Sequence, residues 1–135
     1  MVPLDGSPGS WKALRKAILI AKEQGAELSL LSVEEHLPRN AATVGEVEDE
    51  QERENAYFAD VQAKAVALAR EQGVSVRAEV VAGHAAHTIV TVAREENVDL
   101  IAISHSGHGG LWGTLLGSIT DRVVDHAHCD VLVVR

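Results

Sequence analysis

The feature that most restricts the fold of this chain is its alternation of short apolar runs with amphipathic stretches. Each run has the length of a β-strand, and the segments between runs carry apolar residues at helical spacing. The runs are Met1–Leu4, Leu28–Val33, Val74–Val81, Val98–Ile103 and Asp130–Val134. Because right-handed crossovers join parallel strands, the pattern predicts an α/β fold: a three-layer, doubly wound sandwich of five strands and four helices.

The order of the strands determines where a ligand can bind in such a sheet. Doubly wound sheets bind ligands at the carboxyl ends of the strands, where the strand order reverses. With the order 3-2-1-4-5, this point lies between the first and fourth strands. We therefore expect Leu4–Ser7 and Ser104–Gly107, which are far apart in sequence, to share one crevice.

The two outer strands of this arrangement differ in character. Polar and apolar residues alternate in Val74–Val81, which predicts an edge strand with an exposed face. The last strand, Val131–Val134, is apolar and carries little charge to protect it at the other edge. Because exposed apolar edges pair with other strands, we predict a homodimer formed through Val131–Val134.

A glycine-rich stretch, Ser104–Ser118, connects the fourth strand to the last helix. A strand, a glycine loop and a helix start in this order present free backbone N–H groups to an anion. The stretch is neither a Walker A motif, because no Lys follows Gly117, nor a dinucleotide fingerprint, because Trp112 replaces the third glycine. Spacing alone therefore leaves two interpretations open, a phosphate site and a loop whose glycines only serve turns.

Charge and composition exclude several classes of partner. The 135 residues include 12 basic and 20 acidic ones, with a net charge of −8, and no basic stripe, so we expect neither nucleic acid nor a membrane as a partner. No segment approaches the roughly 20 apolar residues that span a bilayer. The one cysteine, Cys129, permits no internal disulfide, which favours a cytoplasmic location. We expect residues 1–135 to form one domain.

Four separated segments of the chain resemble the universal stress protein family. They are Val2–Ser7, Val98–Ile103, Gly107 followed after nine residues by Gly117-Ser118, and His126–Val134. The resemblance implies an adenine nucleotide alpha hydrolase-like fold, and the family has an ATP-binding branch and a nucleotide-free dimeric branch. The ATP-binding signature is Gly, two residues, Gly, nine residues, Gly, then Ser or Thr. Here its first glycine is replaced by Ser104.

The resemblance to the ATP-binding branch also implies a set of nucleotide-binding residues. They are Pro3, Leu4, Asp5, Val33, Ile103, Ser104, Gly107, Gly117, Ser118 and Ile119. The first three would border the adenosine, with Asp5 near the ribose or adenine, and Val33 would pack on the base. Ile103 and Ser104 would supply backbone contacts, and the glycines with their neighbours would hold the phosphates.

These features predict a stress-response regulator or sensor that binds ATP or another adenine nucleotide, with Mg²⁺ on the phosphates. No general base is placed and no Lys or Arg lies between Ser104 and Ser118, so we expect no catalytic residue and at most slow ATP hydrolysis. The seven histidines have no spacing typical of a metal site, and none is predicted. The alternative is a nucleotide-free dimeric interaction module of the same fold, which Ser104 favours and Gly107, Gly117 and Ser118 oppose.

Overall fold

The computed structural model describes residues 1–35, 44–105 and 116–135, and within the helix that begins at Val44 it describes side chains from Glu50 onward. Strands and helices alternate along these ranges, as the sequence predicts. They are β1 (Val2–Pro3), α1 (Pro8–Gln24), β2 (Leu28–Glu34), α2 (Val44–Glu71), β3 (Val76–Ala82), α3 (Ala85–Glu95), β4 (Leu100–Ser104), α4 (Ser118–His126) and β5 (Asp130–Val134).

All strand pairs are parallel and form two ladders, one in the order β1-β2-β3 and one of β4 with β5. Met1 joins the ladders, because its amine donates to the carbonyl of Leu100 at 2.8 Å and its carbonyl accepts from the N–H of Ala102 at 2.9 Å. The predicted order 3-2-1-4-5 is therefore confirmed within each ladder, and these two bonds set β1 beside β4.

The sheet lies between two pairs of helices, each with its own apolar core. On one face, Leu14 of α1 and Ala65 of α2 pack in a cluster with Leu30 of β2. On the other, Ile89 of α3 and Val123 of α4 pack with Leu31 of β2. Because neighbouring residues of a strand point to opposite faces, the nearly continuous apolar run of β2 buries both faces, as predicted.

The helix ends follow from local chemistry, with one correction to the sequence-based prediction. The Ser7 side chain caps α1 by accepting from the N–H of Ser10, and Gly25 ends that helix with a φ of 62°. The absence of apolar periodicity from Glu34 to about Glu50 predicts a mobile connection there, but α2 already begins at Val44. Glutamate is a good helix former, and negative charge near a helix start is favourable.

None of the helices in the described ranges is both long and apolar enough to cross a membrane.

Candidate functional site

A cleft of about 90 Å³ opens where β1, β2 and β4 end, between the first turns of α3 and α4. Seven of the ten residues that the resemblance assigns to a nucleotide line it: Pro3, Leu4, Asp5, Val33, Ile103, Ser104 and Ile119. The other lining residues are Ser10, Leu31, Ala85, Ile89 and Thr120. The two distant turns thus meet at one crevice, as the strand order predicts.

The turn after β1 is held by the Asp5 side chain and by a tyrosine from α2. The Asp5 carboxylate accepts from the N–H of Ser7 at 2.9 Å, and Gly6 has a φ of 81°, which favours glycine. The hydroxyl of Tyr57, on α2, donates to the carbonyl of Asp5 at 3.0 Å. Asp5 itself is exposed, so its carboxylate lies at the rim of the cleft rather than in its floor.

Buried hydrogen bonds hold the end of β1 beside β2. The Ser32 hydroxyl donates to the carbonyl of Leu4 at 2.6 Å. The side-chain amide of Gln62 donates both to Ser32 Oγ at 2.7 Å and to the carbonyl of Glu79 at 3.1 Å. This chain of bonds links β1, β2, β3 and α2, and it fixes the backbone that forms one wall of the cleft.

The end of β4 is tied to the start of α4. The hydroxyl of Thr120 donates to the carbonyl of Ser104 at 2.7 Å, and the N–H of Gly117 donates to the carbonyl of His105 at 2.9 Å. Ser104 pairs with Val134 as a regular strand residue. Within the described residues Asn97 is the one non-glycine with a positive φ, so the side chain at Ser104 causes no backbone strain.

The first turn of α4 offers backbone donors toward the cleft. Its first helical hydrogen bond runs from the N–H of Asp121 to the carbonyl of Gly117, so the N–H groups of Ser118, Ile119 and Thr120 precede the helical ladder. Serine is a favoured capping residue, which predicts Ser118 as the cap of this helix, but the cap is Gly117 and Ser118 is the first helical residue. Gly107, the remaining predicted residue, lies outside the described residues.

Titratable groups give no sign of a metal centre in the described ranges. No three His, Cys, Asp or Glu side chains come together there in an arrangement that could hold a metal ion. Burial raises the pKa of the Cys129 thiol, which packs at the margin of the α3–α4 core. This thiol is therefore a poor nucleophile and metal ligand near neutral pH.

Comparison with known proteins places this geometry in context. The sequence model of the universal stress protein family matches residues 1–135. The chain belongs to the universal stress protein family. A universal stress protein of Methanocaldococcus jannaschii is 37% identical over 138 residues, which cover 100% of this chain and 80% of the relative.

Solved universal stress proteins share the fold. The protein UspA from Lactobacillus plantarum superposes with a TM-score of 0.89 at 28% identity, covering 99% of this chain and 94% of its own. A universal stress protein in complex with cAMP has a TM-score of 0.76 at 26% identity, with the same coverage of 99% and 94%. The α/β fold of the chain is therefore that of its family.

Proposed function

We propose that this universal stress protein binds an adenine nucleotide, ATP or AMP, in the cleft at the ends of β1, β2 and β4. The observation that carries the proposal is the convergence of Asp5, Val33 and Ser104, from three strand ends, on one cleft beside the start of α4. The related structure in complex with cAMP supports an adenine nucleotide as the ligand class. On this basis residues 1–135 act as one binding domain.

The lining suggests how the nucleotide is oriented. Val33 and Ile103 give the cleft apolar walls that suit the face of a base, and Asp5 at the rim can accept from a ribose hydroxyl. A volume of about 90 Å³ is well below the range of about 300–1,000 Å³ typical of whole-ligand sites. The cleft therefore encloses the base, and the phosphates lie toward the backbone donors of Ser118 and Ile119.

The chemistry of the site fits a regulator rather than an enzyme. Mg²⁺ would be held by the phosphates and water, since the described residues offer no acidic cluster to hold it. Phosphoryl transfer needs cationic groups and a positioned base at the phosphates, and the sequence has no Lys or Arg between Ser104 and Ser118. We accordingly propose a stress-response sensor without catalytic residues.

We also propose that the protein is a cytoplasmic homodimer joined through β5. Residues Val131 to Val134 of this edge strand are each only partly buried in the single chain. On the adjoining helix α4, Val124 is 42% exposed. Pairing β5 with a second copy would cover this apolar surface.

A nucleotide-free interaction module is the second candidate. It is favoured because the Ser104 carbonyl is already bound by Thr120, and the Asp5 carboxylate by the N–H of Ser7. These groups would have to exchange or share their bonds to contact a ligand. That Ser104 replaces the first glycine of the ATP-binding signature is a weaker argument against nucleotide binding, since Ser104 adopts regular strand geometry.

Calorimetric titration with ATP, AMP and cAMP separates the two candidates. We expect a dissociation constant in the micromolar range, about −8 kcal/mol, for at least one nucleotide. Gly117→Val should abolish binding, because a branched side chain would crowd the donors at the start of α4. The matched control is Ala127→Val at the other end of the helix, where φ and ψ are −63° and 141° against −61° and 147° at Gly117.

The outcomes are distinct. No heat at millimolar nucleotide would leave the interaction module as the function. Binding that survives Gly117→Val in a folded protein would show that the α4 start is not the phosphate site.

A further inference from the structure

A second and larger concavity runs along the surface between α3 and α4. This groove has a volume of about 430 Å³, within the range of about 300–1,000 Å³ for ligand sites. Its ionisable lining residues are Glu35, His84, His87, Arg94, Arg122 and His126. Ala85 and Ile119 line both this groove and the cleft, so the two spaces adjoin.

The ionisable side chains that line this α3–α4 groove are two arginines and three histidines against one carboxylate. His87 and Arg94 lie on one face of α3, seven residues apart, and Arg122 and His126 lie on one face of α4, four residues apart. Glu35 is the one acidic residue of the lining, and its carboxylate accepts from the N–H of Ala85 at 2.6 Å. In a chain with a net charge of −8, counted with neutral histidines, a groove whose two arginines outnumber its one carboxylate is locally positive.

The two arginines suit phosphate recognition. Neither Arg94 nor Arg122 forms an ion pair within the part of the chain that the structure describes, whereas Arg77 pairs with both Glu27 and Glu96. A guanidinium matches two phosphate oxygens at once. Helical side chains lean toward the N-terminus of their helix. For α3 and α4 this is the end at the cleft, so a guanidinium on either helix can reach from the groove toward the cleft.

We propose that the α3–α4 groove binds the polyphosphate tail, two or more linked phosphates, of the nucleotide whose base occupies the cleft. Arg122, one turn beyond Ser118 on α4, receives the nearer phosphate and Arg94 the farther. The groove thereby supplies the cations that the stretch between Ser104 and Ser118 lacks. That these phosphates belong to a nucleotide whose base is bound in the cleft rests on the proposed function. The affinity of the groove for linked phosphates does not.

The test uses AMP, ATP and inorganic tripolyphosphate as probes, titrated by calorimetry in magnesium-free buffer. The groove variant is the double substitution Arg94→Gln/Arg122→Gln. Its matched control is Arg15→Gln/Arg70→Gln, which removes the same charge from exposed positions on α1 and α2. We expect the groove variant to lose at least tenfold in ATP affinity and less than twofold in AMP affinity, with the control unchanged. Tripolyphosphate should bind the wild-type protein and compete with ATP.

The results separate this inference from the proposed function. Tripolyphosphate binding that the groove variant abolishes supports the polyphosphate site even if AMP and ATP give no heat, in which case the proposed function alone fails. ATP affinity unchanged by the groove variant, or no binding of tripolyphosphate to the wild-type protein, would overturn the inference while leaving AMP binding in the cleft intact.

Discussion

The hydroxyl of Tyr57 donates a 3.0 Å hydrogen bond to the carbonyl of Asp5, 52 residues earlier in the chain. The Tyr57 ring packs edge-on against Phe58, with ring centroids 5.3 Å apart, and is itself half exposed. Helix α2 therefore holds the turn that carries Asp5 at the rim of the cleft. A residue outside the cleft lining thus positions a residue within it.

Tyr57→Phe should remove this bond and keep the ring. A single hydrogen bond contributes about 0.5–1.5 kcal/mol, and because this one is exposed we expect a loss near the lower value in urea unfolding. AMP affinity should fall about threefold as the Asp5 turn loosens. The control is Ser75→Ala, which removes a hydroxyl from an exposed position away from the cleft. Unchanged AMP affinity would show that the tyrosine does not position the turn.

Gly6→Ala should destabilise the protein more than Gly25→Ala. Both glycines have positive φ, 81° and 62°, and an alanine in this region costs about 1–2 kcal/mol. At Gly25 nothing lies within 4 Å of an added Cβ, whereas at Gly6 it would collide with the Tyr57 hydroxyl and lie 3.1 Å from Val61. Unfolding in urea measures the difference, and adding Tyr57→Ala should recover part of it. Equal losses at both glycines would contradict this packing.

Ser32→Ala should lower the free energy of unfolding, because the Ser32 hydroxyl is fully buried, donates to the Leu4 carbonyl and accepts from the Gln62 amide. It leaves the Leu4 carbonyl without the Ser32 hydroxyl and the Gln62 amide with only its bond to Glu79, which costs about 1–3 kcal/mol. Ser29→Ala on the same strand is the control, since the partner of Ser29 is Glu96, outside the cleft. A double-mutant cycle with Gln62→Leu measures the coupling, and strictly additive losses would mean that Ser32 and Gln62 act independently.

Val133→Lys should convert the proposed dimer to monomers, because a charge on β5 blocks pairing of two edges. Val80→Lys is the matched control, as Val80 is 41% exposed on β3, the other edge strand. Sedimentation gives the mass in each case. A dimer that persists in Val133→Lys would remove β5 from the interface.

Cys129 should react slowly with iodoacetamide near pH 8. Burial raises the pKa of its thiol above the ordinary value, so less thiolate is present at a given pH than in a free thiol. The alkylation rate of Cys129 should therefore rise over a higher pH range than the alkylation rate of glutathione. Once urea unfolds the protein, the two rates should become comparable. A rate equal to that of glutathione in the folded protein would contradict the burial.

Much of the fold could be predicted from local patterns. The bounds of β5, Asp130–Val134, match the prediction, because apolar runs act over a few residues. Capping chemistry is equally local: it offers Ser7 or Ser10 as the cap of α1 and Gly25 as its end, and the structure has Ser7 and Gly25 in these places. The meeting of Asp5 with Ser104 followed from topology alone, since parallel crossovers bring the carboxyl ends of strands together.

Other features depend on tertiary contacts that have no local signal. The bond between Tyr57 and Asp5 joins a helix to a turn 52 residues away, and no spacing rule connects the two. Arg94 and Arg122 become neighbours only because α3 and α4 pack side by side on the same face of the sheet. The early start of α2 at Val44 was missed because an acidic stretch without apolar periodicity gives no amphipathic signal.

The bond from the N–H of Gly117 to the carbonyl of His105 has a mechanical consequence. It fastens the start of α4 to the residue that follows β4, and the bond from Thr120 to Ser104 fastens the same two elements a second time. A displacement of α4 is therefore transmitted directly to the end of β4, and any group that pulls on the start of this helix also pulls on the strand beside it.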